Sequence, residues 1–249
     1  MLDALLTSTR NRIVRHWPLD GITNRLTRPI VCFTFDDFPR SAATTGARIL
    51  EAAGWRGTFY ASGILADGRV GGIDYFRTQD LPRLVAAGHE VACHTFDHLR
   101  VPGADRAPVE RSVLRNRQFL REAIAGDFIP SSFAFPYGDL SLASKWQMQA
   151  HYPVCRWILP EVNRGTIDLG RLGAFPLESR DLDLARIEAT LDEALRCNGW
   201  VIFFTHDVSD TPTPFGCPTA AFEAIVAMAK TRNIDVLPVK RAAAHLQPG

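Results

Sequence analysis

The sequence predicts an α/β fold in which a parallel sheet closes into a barrel. Three observations carry this. Short apolar runs alternate with helical segments six or seven times, as repeated strand–helix units require. The first run, residues 30–35, is apolar almost throughout, as expected of a strand covered on both faces. The polar clusters Asp36-Asp37, His94, Pro136-Tyr137 and His206-Asp207 all fall at the C-terminal ends of different predicted strands. Barrels build their sites from such strand ends, whereas an open, doubly wound sheet gathers residues only around its switch point.

The elements follow in order. Strand 30–35 leads to a helix over 41–53, with Ser41 as N-cap and Gly54 as its stop. Strand 57–61 is followed by a glycine-rich loop, 63–72, and by a helix over 78–87 that Gly88 ends. Strand 89–94 ends on His94, and a long helix spans 107–125 before Gly126. Strand 132–135 runs into Pro136-Tyr137-Gly138. A helix over 142–151 and a strand over 154–158 come next, and 172–176 forms a further strand. A helix over 182–196, strand 200–205, a helix over 219–231 and a closing strand at 235–239 complete the chain. Residues 1–28 read as a helical extension, with Leu2, Leu5, Leu6 and Ile13 at helical spacing and basic residues opposite. Residues 29–249 form the single domain. The extension packs on the domain exterior or touches a membrane surface or partner.

Composition narrows the function classes. Hydrophobic residues make up 46% and charged residues 22%, enough for a large core. A net charge of +1, with no basic block, argues against nucleic acid as a partner. The five cysteines form no C-x-x-C pair, and Cys32, Cys93 and Cys155 lie in apolar stretches as buried thiols. No run reaches the length of a membrane span, and residues 1–15 lack the features of an export signal, so a cytoplasmic location is expected.

Two segments carry chemistry. Thr34-Phe35-Asp36-Asp37 places adjacent carboxylates after an apolar run, and His94-Thr95-Phe96-Asp97-His98 spaces two imidazoles four residues apart. Together they offer one carboxylate and two imidazoles to a divalent metal, an open position for water, and a spare carboxylate as base. On a helical turn both rings can face one ion, with Thr95 and Asp97 as supporting partners. Read singly, the aspartates are equally a helix-capping pair, and the histidines a surface turn. His206 ends an apolar strand and suits a general acid; a core histidine is the plain alternative. The Pro136-Tyr137-Gly138 turn can direct the Tyr137 N–H toward an oxyanion.

In this order and spacing the motifs resemble the polysaccharide deacetylases, the NodB-homology domain of carbohydrate esterase family 4, over about residues 29–240. The resemblance implies a distorted (β/α)7-type barrel and a metal-dependent hydrolase that removes an acetyl group from an N-acetylated sugar in a polysaccharide, oligosaccharide or glycolipid. Asp36 resembles the general base, and Asp37, His94 and His98 the metal ligands. Tyr137 resembles the oxyanion-hole residue and His206 the general acid. Two imidazoles and a carboxylate suit zinc first, then cobalt, nickel or iron(II). The chain departs from the pattern twice: no Arg precedes Pro136-Tyr137, and no Asp precedes Trp157. Among Arg156, Arg164 and Arg171, the arginine expected to replace the first is Arg171, with Asp207 or Asp168 supplying charge near the acid. The alternatives are hydrolysis of a small non-peptide amide or ureide, and an inactive carbohydrate-binding relative.

Overall fold

The computed structural model describes residues 21–246. Seven parallel strands form the wall: β1 (Ile30–Asp36), β2 (Thr58–Ala61), β3 (Glu90–Cys93), β4 (Ser132–Ala134), β5 (Val154–Arg156), β6 (Phe175–Pro176) and β7 (Trp200–Thr205). Their order is β6-β7-β1-β2-β3-β4-β5. The ring closes irregularly. Leu172 makes a single parallel bridge to Arg156 of β5, and the chain then reaches β6, which pairs with β7. Asp235–Val236 pairs with the first two residues of β1, on the same side as β2, which pairs further up.

Helices cover the outside: α1 (Ala47–Ala52), α2 (Asp80–Ala86), α3 (Arg106–Ile124), α4 (Leu142–Gln149), α5 (Leu184–Cys197) and α6 (Thr219–Thr231). A short α7 (Val239–Ala244) packs with the interior cluster at the lower end, its first N–H groups bonded to Thr58 Oγ1 and Glu90 Oε2. Among the described residues no helix is long and apolar enough to cross a membrane.

Strand parity explains why every β1 residue is buried. Successive side chains point to opposite faces. Val31, Phe33 and Phe35 pack with Phe59, Phe203 and the helices in one cluster. Ile30 and Cys32 pack with Val154, Trp200, Ile202 and Phe204 in another, the barrel interior. Thr34 and Asp36 continue that inward set upward. The same parity turns Tyr60 and Ala92 inward, with Ala134 beside them, and register sets Ala134 against Arg156. The top of the interior is therefore polar and its middle apolar.

Several expectations change. The helix expected over residues 1–28 lies, up to residue 20, outside the described residues. Gly21–Thr23 is a strand, antiparallel to Thr166–Asp168, and Ile22 and Leu26 pack against the interior cluster. Ser41 makes no side-chain cap, because its backbone is already helical and a turn of π-helix, Ala42–Gly46, precedes α1. The closing strand shrinks to Asp235–Val236, since Pro238 starts α7. Cys32, Cys93 and Cys155 are buried and free.

Lys145 of α4 and Asp168 form an ion pair of 2.5 Å with both side chains buried, tying the outer layer to the closing segment. Removing one member of a buried pair strands the other charge. Lys145→Met is expected to lower stability by about 3 kcal/mol. Lys145→Met with Asp168→Asn should recover most of that loss, as read from denaturant midpoints. An unchanged midpoint in the single variant would show that the pair contributes nothing.

Candidate metal centre and active site

Asp37, His94 and His98 each offer a ligand atom, and these atoms lie within 4.8 Å of one another. Asp37 follows the last residue of β1, where the backbone takes a left-handed turn (φ 53°) and swings the side chain over the barrel mouth. His94 follows β3 with the inward parity of Glu90 and Ala92. Its Nδ1 lies 2.8 Å from the Ala134 carbonyl, which can only accept, so Nδ1 carries the proton and Nε2 is left to bind an ion. Burial pushes His94 down to about 4, against the opposing pull of Asp37 and Asp36, so the ring is neutral near pH 7.

The histidine segment is not a helical turn. Thr95 (φ 61°) and His98 (φ 48°) are both left-handed, and this brings the two rings to 5.1 Å between centroids. Thr95 Oγ1 accepts from Leu99 N at 2.9 Å and holds the bend. Asp97 turns away to Ser112 Oγ, at 2.8 Å, and toward Arg115. Neither residue orients a ring nitrogen. His98 Nε2 lies 3.2 Å from Asp37 Oδ2, while Asp37 Oδ1 is buried without a hydrogen-bond partner among the described residues. A neutral imidazole with a fixed tautomer, a second imidazole and a carboxylate with an unused oxygen are the donor set of a divalent cation site.

Asp36 lies beside this centre as the last inward residue of β1. Its Oδ2 accepts from Arg156 Nη2 at 2.5 Å, and both side chains are buried. Burial alone would raise the Asp36 carboxyl. The Arg156 guanidinium, helped by His94 and His206, outweighs it and holds the carboxyl below its usual range. Oδ1 makes no hydrogen bond among the described residues. The Arg156 guanidinium lies 5.2 Å from the Tyr60 ring centroid and 5.1 Å from that of Phe204, so its position is fixed on two further sides.

The arginine expected here, Arg171, is elsewhere. It pairs with Glu161 at 3.1 Å and lies near Asp168, outside the barrel wall, because the 168–172 segment runs along the outer edge of β5. Arg156 takes the role. A lone Arg in the apolar run 154–158, at inward parity, is the sequence signal for it.

Tyr137 (φ 60°, ψ 6°) occupies a one-turn helix, Pro136–Gly138. Trp157 Nε1 donates to the Gly138 carbonyl at 2.5 Å and pins the turn. A Cβ on Gly138 would lie 2.1 Å from Ile158 Cδ1, and its own φ is positive, so only glycine fits. The Tyr137 ring lies tilted against His98, with 4.4 Å between ring centroids, and is half exposed. His206 follows β7 at inward parity, with Nδ1 buried and without a hydrogen-bond partner among the described residues. Neither candidate charge reaches it. Asp207 is occupied by Thr213, N and Oγ1, and Asp168 by Lys145. Phe215 lies 5.6 Å from the His206 ring instead.

The class of protein defined here is a parallel barrel with a candidate three-ligand metal site and a buried carboxylate at its mouth. The polysaccharide deacetylase family model matches residues 23–153, and the chain belongs to that family. It is 35% identical over 96 residues to a chitooligosaccharide deacetylase of Sinorhizobium fredii (strain NBRC 101917 / NGR234). That match spans 38% of this chain and 41% of the relative, less than half the length of either. Among solved structures it resembles the Bc1960 peptidoglycan N-acetylglucosamine deacetylase, with TM-score 0.62, 13% identity and 88% and 90% of the two chains covered. It also resembles a family 4 acetyl xylan esterase from Clostridium thermocellum in complex with a cobalt ion, with TM-score 0.61, 17% identity and 86% and 90% covered. These likenesses establish the fold, the distorted (β/α)7 barrel.

His94→Ala and Asp37→Ala are each expected to lose bound divalent metal, and Arg171→Ala to keep it, by elemental analysis of protein purified without chelator. Full metal content in His94→Ala would remove His94 from the ligand set.

Proposed function

We propose that the protein is a metal-dependent hydrolase that removes the acetyl group from an N-acetylated sugar, with an N-acetylglucosamine oligosaccharide as its simplest substrate. One observation carries this reading: a metal-type donor set of Asp37, His94 and His98 stands beside a carboxylate, Asp36, that Arg156 holds ionised. Family membership and the relative's name, chitooligosaccharide deacetylase, support the substrate class.

A divalent ion held by Asp37, His94 and His98, for which we propose zinc, supplies Lewis acidity that lowers the pKa of water and polarises the acetamide carbonyl. Asp36 accepts the proton of the attacking water through Oδ1, the oxygen Arg156 leaves unused. The Tyr137 N–H is the donor we assign to the developing oxyanion. His206 protonates the departing nitrogen, because an amine anion is too basic to leave unassisted. The exposed rings of Tyr137 and Phe215 form an apolar rim on which a sugar face can rest.

Acetate release from N-acetylglucosamine oligosaccharides by zinc-reconstituted protein tests the reading. Asp36→Asn and His206→Ala are each expected to lower kcat by roughly 10²–10⁴-fold while metal content stays near wild type. Wild-type protein that binds the metal yet releases no acetate would contradict the activity. Full turnover in Asp36→Asn would contradict the assigned base.

A further inference from the structure

A cavity of about 640 Å³ opens in the outer wall, between residues 160–171 and one face of α5. Its lining runs from Asn163, which exchanges backbone hydrogen bonds with Trp200, the first residue of β7, up to Phe175, which pairs with Phe203. His206 stands beyond the last residue of β7, about three residues of strand, roughly 10 Å, above the upper end of the cavity. Phe175 and Phe203 belong to the outer cluster, whereas His206 has inward parity, so the wall lies between the cavity and the metal centre.

Four arginines line the cavity: Arg164, Arg171, Arg186 and Arg196. Its acids do not balance them. Asp168 is engaged by buried Lys145 at 2.5 Å. Glu193 pairs with Arg164 and Glu161 with Arg171, each at 3.1 Å. Arg186 and Arg196 have no ion pair among the described residues, which leaves a surplus of two guanidiniums. Arg171 is held in the wall of the cavity by Glu161 and by Asp168, 3.9 Å from its Nε, with its side chain only 11% exposed. Asn163 and Phe175 complete the pocket with a polar and an apolar wall. Arg186 and Arg196 stand ten positions apart on α5, about 15 Å along the axis. Long side chains at that spacing bracket an extended anion better than a single small one.

We propose that this cavity binds a phosphate-bearing ligand, a diphosphate or phosphodiester, at a site separate from the metal centre. Guanidinium forks match phosphate oxygens in pairs, and the volume suits a ligand with a body beyond its phosphates.

Titration calorimetry with inorganic diphosphate tests this on wild type, on His94→Ala and on the double variant Arg186→Ala/Arg196→Ala. Both arginines are exposed helix positions where alanine is well tolerated, and an unchanged melting temperature verifies folding. Binding is expected to be equal in wild type and His94→Ala and weaker on the order of 10²-fold in the double variant. Binding lost in His94→Ala but kept in the double variant would place the anion on the metal site and overturn the proposal. Co-sedimentation with phosphatidylcholine vesicles containing phosphatidylglycerol distinguishes the ligand's source. Sedimentation abolished by the double variant assigns a lipid phosphodiester. Diphosphate binding without sedimentation assigns a soluble ligand. Neither kind of binding in wild type would overturn the proposal.

Discussion

The buried pair of Asp36 and Arg156 is the constraint on which the site depends. It joins residues 120 positions apart, across the mouth of the barrel from β1 to β5. Inside a low-dielectric wall neither charge is stable alone. The pair therefore demands that both strands end at the same height and face inward. Once they do, the adjacent Asp37 and the histidines that follow β3, between them in the sheet, are level with them. The guanidinium also sets the charge state: burial pushes the Asp36 carboxyl up, and Arg156 outweighs it and holds the carboxyl below its usual range, as the proposed base role requires.

Around this pair the backbone takes conformations that ordinary propensity disfavours. Asp37, Thr95, His98 and Tyr137 are all left-handed, and all border the centre. Non-glycine residues persist there only where the surroundings over-determine them. Each has such a support: Asp37 N bonds the Tyr60 carbonyl, Thr95 accepts from Leu99 N through its hydroxyl, His98 packs against the tilted Tyr137 ring, and Tyr137 sits in the Trp157-pinned turn. On the outer side of β1 and β2, Phe35 stacks on Phe59 and Phe38 on Phe76, with Phe38 edge-on to Phe59. The site is thus preorganised by packing, with the reactive side chains at the open end.

Much of this was legible in the sequence, for a physical reason. Parallel strands buried on both faces are apolar throughout, so the polar residues that end them stand out: Asp36, His94, Tyr137 and His206 are found that way. The rest is hidden where local signals are weak. The bend at 94–98 mimics helical spacing, yet depends on two positive φ values that no propensity announces. The closure between β5 and β6 rests on one bridge at Leu172, and β6 itself is two residues long. Arg171, which precedes an apolar run, is a weaker candidate for the missing arginine than the one strand parity selects. Counting parity along 154–158 instead puts Arg156 inside, opposite a carboxylate it must satisfy.

The central claim is that Asp36 is the base and that Arg156 holds it ionised. The direct test is the pH dependence of kcat/KM for deacetylation by wild type and by Arg156→Met, with metal content measured on both. With its carboxyl pulled below the usual range, wild type should keep its base ionised well into acid and lose activity only as pH falls through that low value. Without the guanidinium, burial dominates and Asp36 rises, so the acid limb should move to higher pH while metal is retained. An acid limb that stays in place in metal-loaded Arg156→Met would contradict the account.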